Sequence, residues 1–244
     1  MNAVRFDHVS KAFGALKVLD DVSFEIPAGQ AFCLLGRSGT GKSVTLRHIV
    51  GLIQPDSGQV FVEERDITAL TGRELAGVRK HMGFLFQNAA LFDSMSVGDN
   101  VAFPMRRHTD WSDADIRSRA KQKLADVGLE EAIDKMPGDL SGGMKKRAGL
   151  ARAMALEPAI LLVDEPSAGL DPITAGEIDQ LLVKTKEGGT TLVVVTHNIP
   201  SARVIGDRFA MLHEGRMLAS GTLETLDASE EPLVRAFMQS QGGG

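Results

Sequence analysis

Three short stretches of this chain hold residue types that do phosphate chemistry: GRSGTGKS at Gly36–Ser43, ILLVDEP at Ile160–Pro166, and His197 just after TLVVVT. The first lies between a strand-like run, AFCLL, and a helical pattern, KSVTLRHIVGLI, the context that a phosphate-binding loop needs. Glycines let backbone N–H groups turn inward around phosphate oxygens, and a helix N-terminus adds partial positive charge. Gly36, Arg37, Ser38, Gly39, Thr40 and Gly41 would form the wrap. Lys42 would reach the β- and γ-phosphates, and Ser43 would ligate Mg²⁺. In ILLVDEP four apolar residues bury a strand and the carboxylates emerge at its C-terminal edge, where open α/β sheets bind ligands. Asp164 is the candidate Mg²⁺ ligand and Glu165 the candidate general base toward an attacking water. A solvated acidic turn is the bland alternative, and pairing with the phosphate loop weighs against it. His197, past a second bare strand, is placed to meet the γ-phosphate and the water. The other five histidines have no such setting and no metal-ligand spacing.

A further glycine-rich signal is LSGGM, Leu140–Met144. Ser141, Gly142 and Gly143 precede the helical pattern KKRAGLARAMAL, which makes a second helix start able to hold an anion. By itself this is weak, since such turns often only cap helices. The segment LFQNAALFDSMSVGDN, residues 85–100, poses a different problem. Leu91, Phe92 and Met95 stand among Asn, Asp, Ser and Gly, the residues of surface turns. They either tuck into the core or wait for a partner.

These residues need a frame, and the length and patterning describe one. At 244 residues, 43% hydrophobic and 24% charged, the chain can bury a substantial core. A net charge of -5 gives no global attraction to nucleic acid, which is not an expected partner. The single cysteine, Cys33, sits in an apolar run and reads as a buried strand thiol. No apolar core of signal-peptide length opens the chain, and no run approaches the roughly 18 apolar residues of a membrane span. The chain is therefore expected to stay where it is made and to meet any membrane through something embedded there.

The first part reads as short β runs, followed by a helix over KSVTLRHIVGLI that includes Leu52 and Ile53, and a strand at HMGFLFQ. From about Ser94 to Leu156 the pattern is helical, with Ser112 capping and Gly128 ending the clearest helix. The bare runs AILLV and TTLVVV, joined by the helix-like PITAGEIDQLLVKTKE, make a βαβ unit with strands buried on both faces. The expected architecture is an α/β P-loop core over 1–94 and 156–244, with an antiparallel β flank and a helical insertion over 95–155, all in one domain. The terminal QGGG is expected to fray.

Taken together, GRSGTGKS, Gln87, LSGGM, ILLVDEP, SAGLD at Ser167–Asp171, and His197 resemble the ATP-binding cassette (ABC) ATPases in order and spacing, over essentially the whole chain. The resemblance implies an ATPase that uses ATP and Mg²⁺. It implies two copies paired head to tail, so that Ser141, Gly142 and Gly143 of one close on ATP held by the phosphate loop of the other. It makes SAGLD, with Asp171, a loop between sites, and Gln87 a link from Mg²⁺ to a membrane subunit. It places Phe13 on adenine, with a core phenylalanine as the alternative. The loop after Gln87 would receive a permease through Leu91, Phe92 and Met95, Leu91 being the one more open to core packing.

The combination of LSGGM, GKSVTL and NAALFDSMSVGDNVAFP further resembles cassettes of Mla/Mce-type phospholipid transport systems. That implies a place at the cytoplasmic face of the inner membrane, with a permease, an MCE-type lipid-binding protein and a STAS-domain protein as partners. Met144 stands where the family usually has Gln and cannot supply an amide's hydrogen bonds. A cassette for another substrate, such as amino acids or lipoproteins, or a non-transport ABC ATPase, remains the alternative.

Overall fold

The computed structural model describes residues 1–240, and the terminal QGGG lies outside the described residues. In chain order the elements are β1 (Asn2–Phe13), β2 (Leu16–Pro27), β3 (Ala31–Leu35), α1 (Lys42–Ile49), β4 (Ser57–Val62), β5 (Arg65–Asp66), α2 (Gly72–Arg79), β6 (Met82–Leu85), α3 (Val97–His108), α4 (Asp113–Asp126), α5 (Gly142–Ala153), β7 (Ile160–Asp164), α6 (Pro172–Glu187), β8 (Thr191–Thr196), α7 (Ile199–Ile205), β9 (Arg208–His213), β10 (Arg216–Gly221), α8 (Leu223–Asp227) and α9 (Pro232–Gln239). One sheet, ordered β2-β1-β4-β5, is antiparallel; the other, β10-β9-β3-β8-β7-β6, is parallel except at β10.

The bare runs become the middle of the parallel sheet because both of their faces are covered. In β3, side chains alternate between faces. Phe32 and Leu34 enter a core shared with the antiparallel sheet and α1; Ala31, Cys33 and Leu35 enter a core shared with the helices. Stacked rings join the two sheets: Phe6 on Phe24 at 4.5 Å between centroids, and Phe24 on Phe32 at 5.2 Å. Cys33 is wholly buried, which pushes its thiol up to about 12, so it is an inert strand residue.

Helices start where the caps fall. Ser96, Ser112 and Ser141 each accept the N3 backbone N–H of their helix, and Asp171 caps α6 ahead of Pro172. Two expectations are corrected. α1 stops at Ile49 although the apolar spacing runs on to Ile53, because Gly51 turns left-handed (φ 65). Its N–H donates to His48 O, and that of Leu52 donates to Arg47 O, which is the Schellman closure of a helix; Leu52 is left exposed. Conversely α5 begins at Gly142, so the two signature glycines form its first turn rather than a loop before it. Among the described residues no helix is long and apolar enough to cross a membrane.

Candidate functional site

The parallel register sets the site. Leu35 pairs with Thr196, Val195 with Asp164, and Leu85 with Val163. The segments that follow these pairs therefore leave the sheet along one C-terminal edge: the phosphate loop after β3, His197 after β8, Asp164–Glu165 from β7 and Gln87 after β6. The loop over Gly36–Gly41 turns on left-handed Gly39 (φ 82) and Gly41 (φ 101). Gly41 also comes so close to the β2 backbone that a Cβ there would lie 2.7 Å from Val18 O, so no other residue fits.

At the mouth of α1, Lys42 is buried, and its Nζ donates to Gly36 O at 2.7 Å and Arg37 O at 3.0 Å. It also lies 3.5 Å from Glu165 Oε1. Burial pulls the Lys42 ammonium below the usual lysine range, and the Glu165 and Asp164 carboxylates oppose that. Glu165 Oε2 lies 3.0 Å from His197 Nδ1 and accepts the His197 backbone N–H at 3.3 Å. Ser43 Oγ donates to Asp164 Oδ1 at 3.0 Å, while burial raises the Asp164 carboxyl above its ordinary range. A hydroxyl and a carboxylate are hard oxygen donors of the kind Mg²⁺ takes. No cluster of three His, Cys, Asp or Glu side chains gathers among the described residues. A cation here would complete its shell from phosphate and water, which suits Mg²⁺. A cavity of 1090 Å³ runs beside the loop, lined by Arg37–Thr40, His197 and the tail residues Leu233 and Phe237.

Lys42, Ser43, Asp164, Glu165 and His197 are thus brought together. Other candidates stand apart. Gln87 is exposed two residues beyond β6 and makes no side-chain hydrogen bond among the described residues. Phe13 is 48% exposed at the end of β1, which removes the core alternative, and its strand partner Leu16 lines the cavity beside the loop. Ser141 and Gly142 are exposed at the start of α5, and neither lines the cavity beside the phosphate loop of the same chain. Gly143 packs on α6, where a Cβ would meet Thr174 Cγ2 at 2.4 Å. The Asp171 carboxylate is occupied in capping α6, accepting from Ile173 N, Thr174 N and Thr174 Oγ1. It makes no hydrogen bond to the phosphate loop.

The loop after Gln87 divides. Leu91 is half-buried and packs against the helical core, the alternative left open for it; Met95 is half-buried and Phe92 is 43% exposed. Phe92 meets Phe103 at 5.1 Å, and with Phe86 they line a 660 Å³ cleft rimmed by Arg79, Lys80 and Arg152. Sequence patterns do not reveal what holds this loop. Buried Asn100 donates to Phe92 O, Met95 O and Ser96 O and accepts Phe92 N–H at 2.8 Å. Arg152 donates to Ala89 O and Ala90 O, both at 2.7 Å, pinning two left-handed alanines. Lys146 escapes sequence reasoning as well. It is buried, its Nζ donates to Glu165 O at 2.9 Å, and burial pushes its ammonium down to about 8. A lysine or asparagine on an amphipathic helix normally reads as solvent-facing, so only its contacts could single it out.

Phosphate loop, acidic strand end and histidine on one edge of a parallel sheet, beside an antiparallel flank and a helical insertion, define a P-loop ATPase of the cassette type. The ABC transporter family matches residues 19–168. The chain belongs to that family and hydrolyses ATP. It is 42% identical over 240 residues to the probable ribonucleotide transport ATP-binding protein mkl of Mycobacterium tuberculosis, covering 98% of this chain and 67% of that one. It is 40% identical over 244 residues to the intermembrane phospholipid transport system ATP-binding protein MlaF of Escherichia coli, covering 100% and 91%. Among solved structures it resembles the dimeric ATP-binding cassette MJ0796 in a post-hydrolysis state bound to ADP and Pi, with a TM-score of 0.83 and 34% identity over 90% of this chain and 98% of that one.

Proposed function

We propose that the chain is the ATP-hydrolysing subunit of a transporter that moves phospholipid between membranes. The observation that carries this reading is the end-to-end likeness to MlaF, at 40% identity over 244 residues. ATP would lie across the phosphate loop, with Gly36–Gly41 wrapping its phosphates, Lys42 on their charge, Phe13 against the base, and Ser43, Asp164 and Gln87 around Mg²⁺. The bound cation supplies charge neutralisation at the phosphates. Glu165 takes a proton from the attacking water, and His197, hydrogen-bonded to it, orients that carboxylate and faces the γ-phosphate. Exposed Ser141 and Gly142, with Gly143 behind them in the first turn of α5, close on the nucleotide of a second copy, with Asp171 beside them. The dimeric cassette at 34% identity supports that pairing.

The domain division proposed is a core over 1–94 and 156–244 with a signature subdomain over 95–155. A permease would dock in the cleft of Phe86, Phe92 and Phe103, which would hold the cassette at the cytoplasmic face of the inner membrane. An MCE-type lipid-binding protein and a STAS-domain protein are the further partners of such a system.

Copurifying the chain with its membrane partner and identifying bound small molecules by mass spectrometry tests the substrate. Phospholipid is expected. Ribonucleotide that stays with the membrane partner after the cassette is stripped away, with no phospholipid, would instead favour the second reading, which rests on the 42% identity to the mycobacterial protein.

Two substitutions test the surfaces. Phe92→Ala should barely change the melting temperature of the cassette alone, since a half-exposed ring forgoes most of the ~3–5 kcal/mol that a buried phenylalanine carries. It should weaken permease pull-down by about 2 kcal/mol or more, as an interface anchor does. A large fall in melting temperature with pull-down intact would refute the docking assignment. Met144→Gln should leave hydrolysis within a few-fold of wild type. The Met144 side chain packs toward the helical core, and only its backbone N–H serves the Ser141 cap. A loss as severe as that of Ser141→Arg would assign Met144 a necessary packing role.

A further inference from the structure

Glu165 sits in the left-handed region at φ 45, a conformation costly for a side chain with a Cβ. Such a turn persists only where its surroundings over-determine it. Three hydrogen bonds do so here. The Glu165 N–H donates to Val195 O at 2.9 Å, and the Glu165 carbonyl accepts Ala168 N–H at 3.2 Å and Lys146 Nζ at 2.9 Å. Two of these partners are backbone close by in the same sheet and turn. The third comes from a different part of the fold. Lys146 belongs to α5, the helix capped by Ser141, and five residues of helix place it about 7.5 Å along the axis from that cap. Lys146 is 4% exposed, and the Glu165 carbonyl is its one hydrogen-bond acceptor among the described residues. Burying an ammonium costs free energy unless it is hydrogen-bonded and paired, so the bond to the Glu165 carbonyl is what holds it there.

We propose that Lys146 is a positioning residue for hydrolysis: it ties the Glu165 peptide to helix α5, so that the signature end of this copy and its own catalytic turn move as one body. This rests on Glu165 being the base and on Ser141 meeting the second copy's nucleotide. Closure of Ser141 on the neighbouring nucleotide would then fix the aim of Glu165 in its own site, without any contact between Lys146 and substrate.

The test uses the full chain. Lys146→Met removes the donor and fills the space; Lys146→Gln keeps an N–H donor. K146M should lower kcat about tenfold, with KM and the equilibrium affinity for ATP within twofold of wild type, and K146Q should recover at least a third of wild-type kcat. In a Glu165→Gln background, K146M should still form the ATP-dependent dimer, because Ser141 is untouched. Wild-type kcat in K146M overturns the proposal. So does a folded K146Q as slow as K146M, or loss of the dimer, which would mean that Lys146 merely holds α5 in place. If K146M does not fold, K146Q decides alone: kcat within threefold of wild type is expected, and a tenfold fall overturns the assignment. The underlying reading fails separately, since it requires Glu165→Gln by itself to abolish most turnover.

Discussion

Glu165→Gln is expected to lower ATP turnover by about 10²–10⁴ while leaving nucleotide binding nearly intact. The amide matches the carboxylate in shape and can keep a hydrogen bond to His197, which now lies 3.0 Å from Glu165 Oε2. It cannot take a proton from water. It also removes the negative charge 3.5 Å from Lys42, so the ammonium is freer to serve phosphate. Binding held and chemistry blocked should let the ATP-bound pair of copies accumulate. Steady-state phosphate release checks the first effect and gel filtration with ATP the second. Unchanged turnover would remove Glu165 as the base. A persistent monomer in the assembled complex would count against a shared site.

Lys42→Ala should abolish useful ATP binding. A charge-assisted hydrogen bond contributes about 1.5–3 kcal/mol, and Lys42 is placed to serve two phosphates. The expected loss of affinity is therefore about 10²–10⁴. The substitution acts on the free protein too. Gly36 O and Arg37 O lose a buried donor, and Glu165 loses its cationic neighbour. Equilibrium binding of a fluorescent ATP analogue, with the melting temperature measured on the same sample, separates a folded non-binder from an unfolded one. A folded variant with unchanged affinity would remove the phosphate-loop assignment.

Both predictions concern residues that are legible in the amino-acid sequence. The phosphate loop, the Asp164–Glu165 strand end and His197 each depend on a few consecutive residues placed directly after an apolar strand. A buried parallel strand must be apolar on both faces, so the strand announces itself, and the chemistry can only start where it ends. The order β7–α6–β8 and the Ser112 cap of α4 follow from the same local rules. Where local rules compete, spacing misleads. The apolar pattern beyond Ile49 suggests more helix, but a left-handed glycine closes α1 whatever follows.

Fold class, family and the row of residues on the sheet edge are written in the chain, because backbone periodicity and glycine geometry are properties of sequence neighbours. The facing of the loop residues is not. Leu91 and Phe92 are adjacent and both apolar, yet one packs on the core and the other stays open, because Asn100 and Arg152 pin the loop backbone in a single conformation. Folding in three dimensions also makes Lys146 a neighbour of Glu165, 19 residues away. Contacts between elements depend on how α5 docks against β6 and α6, and no spacing along one chain encodes that distance.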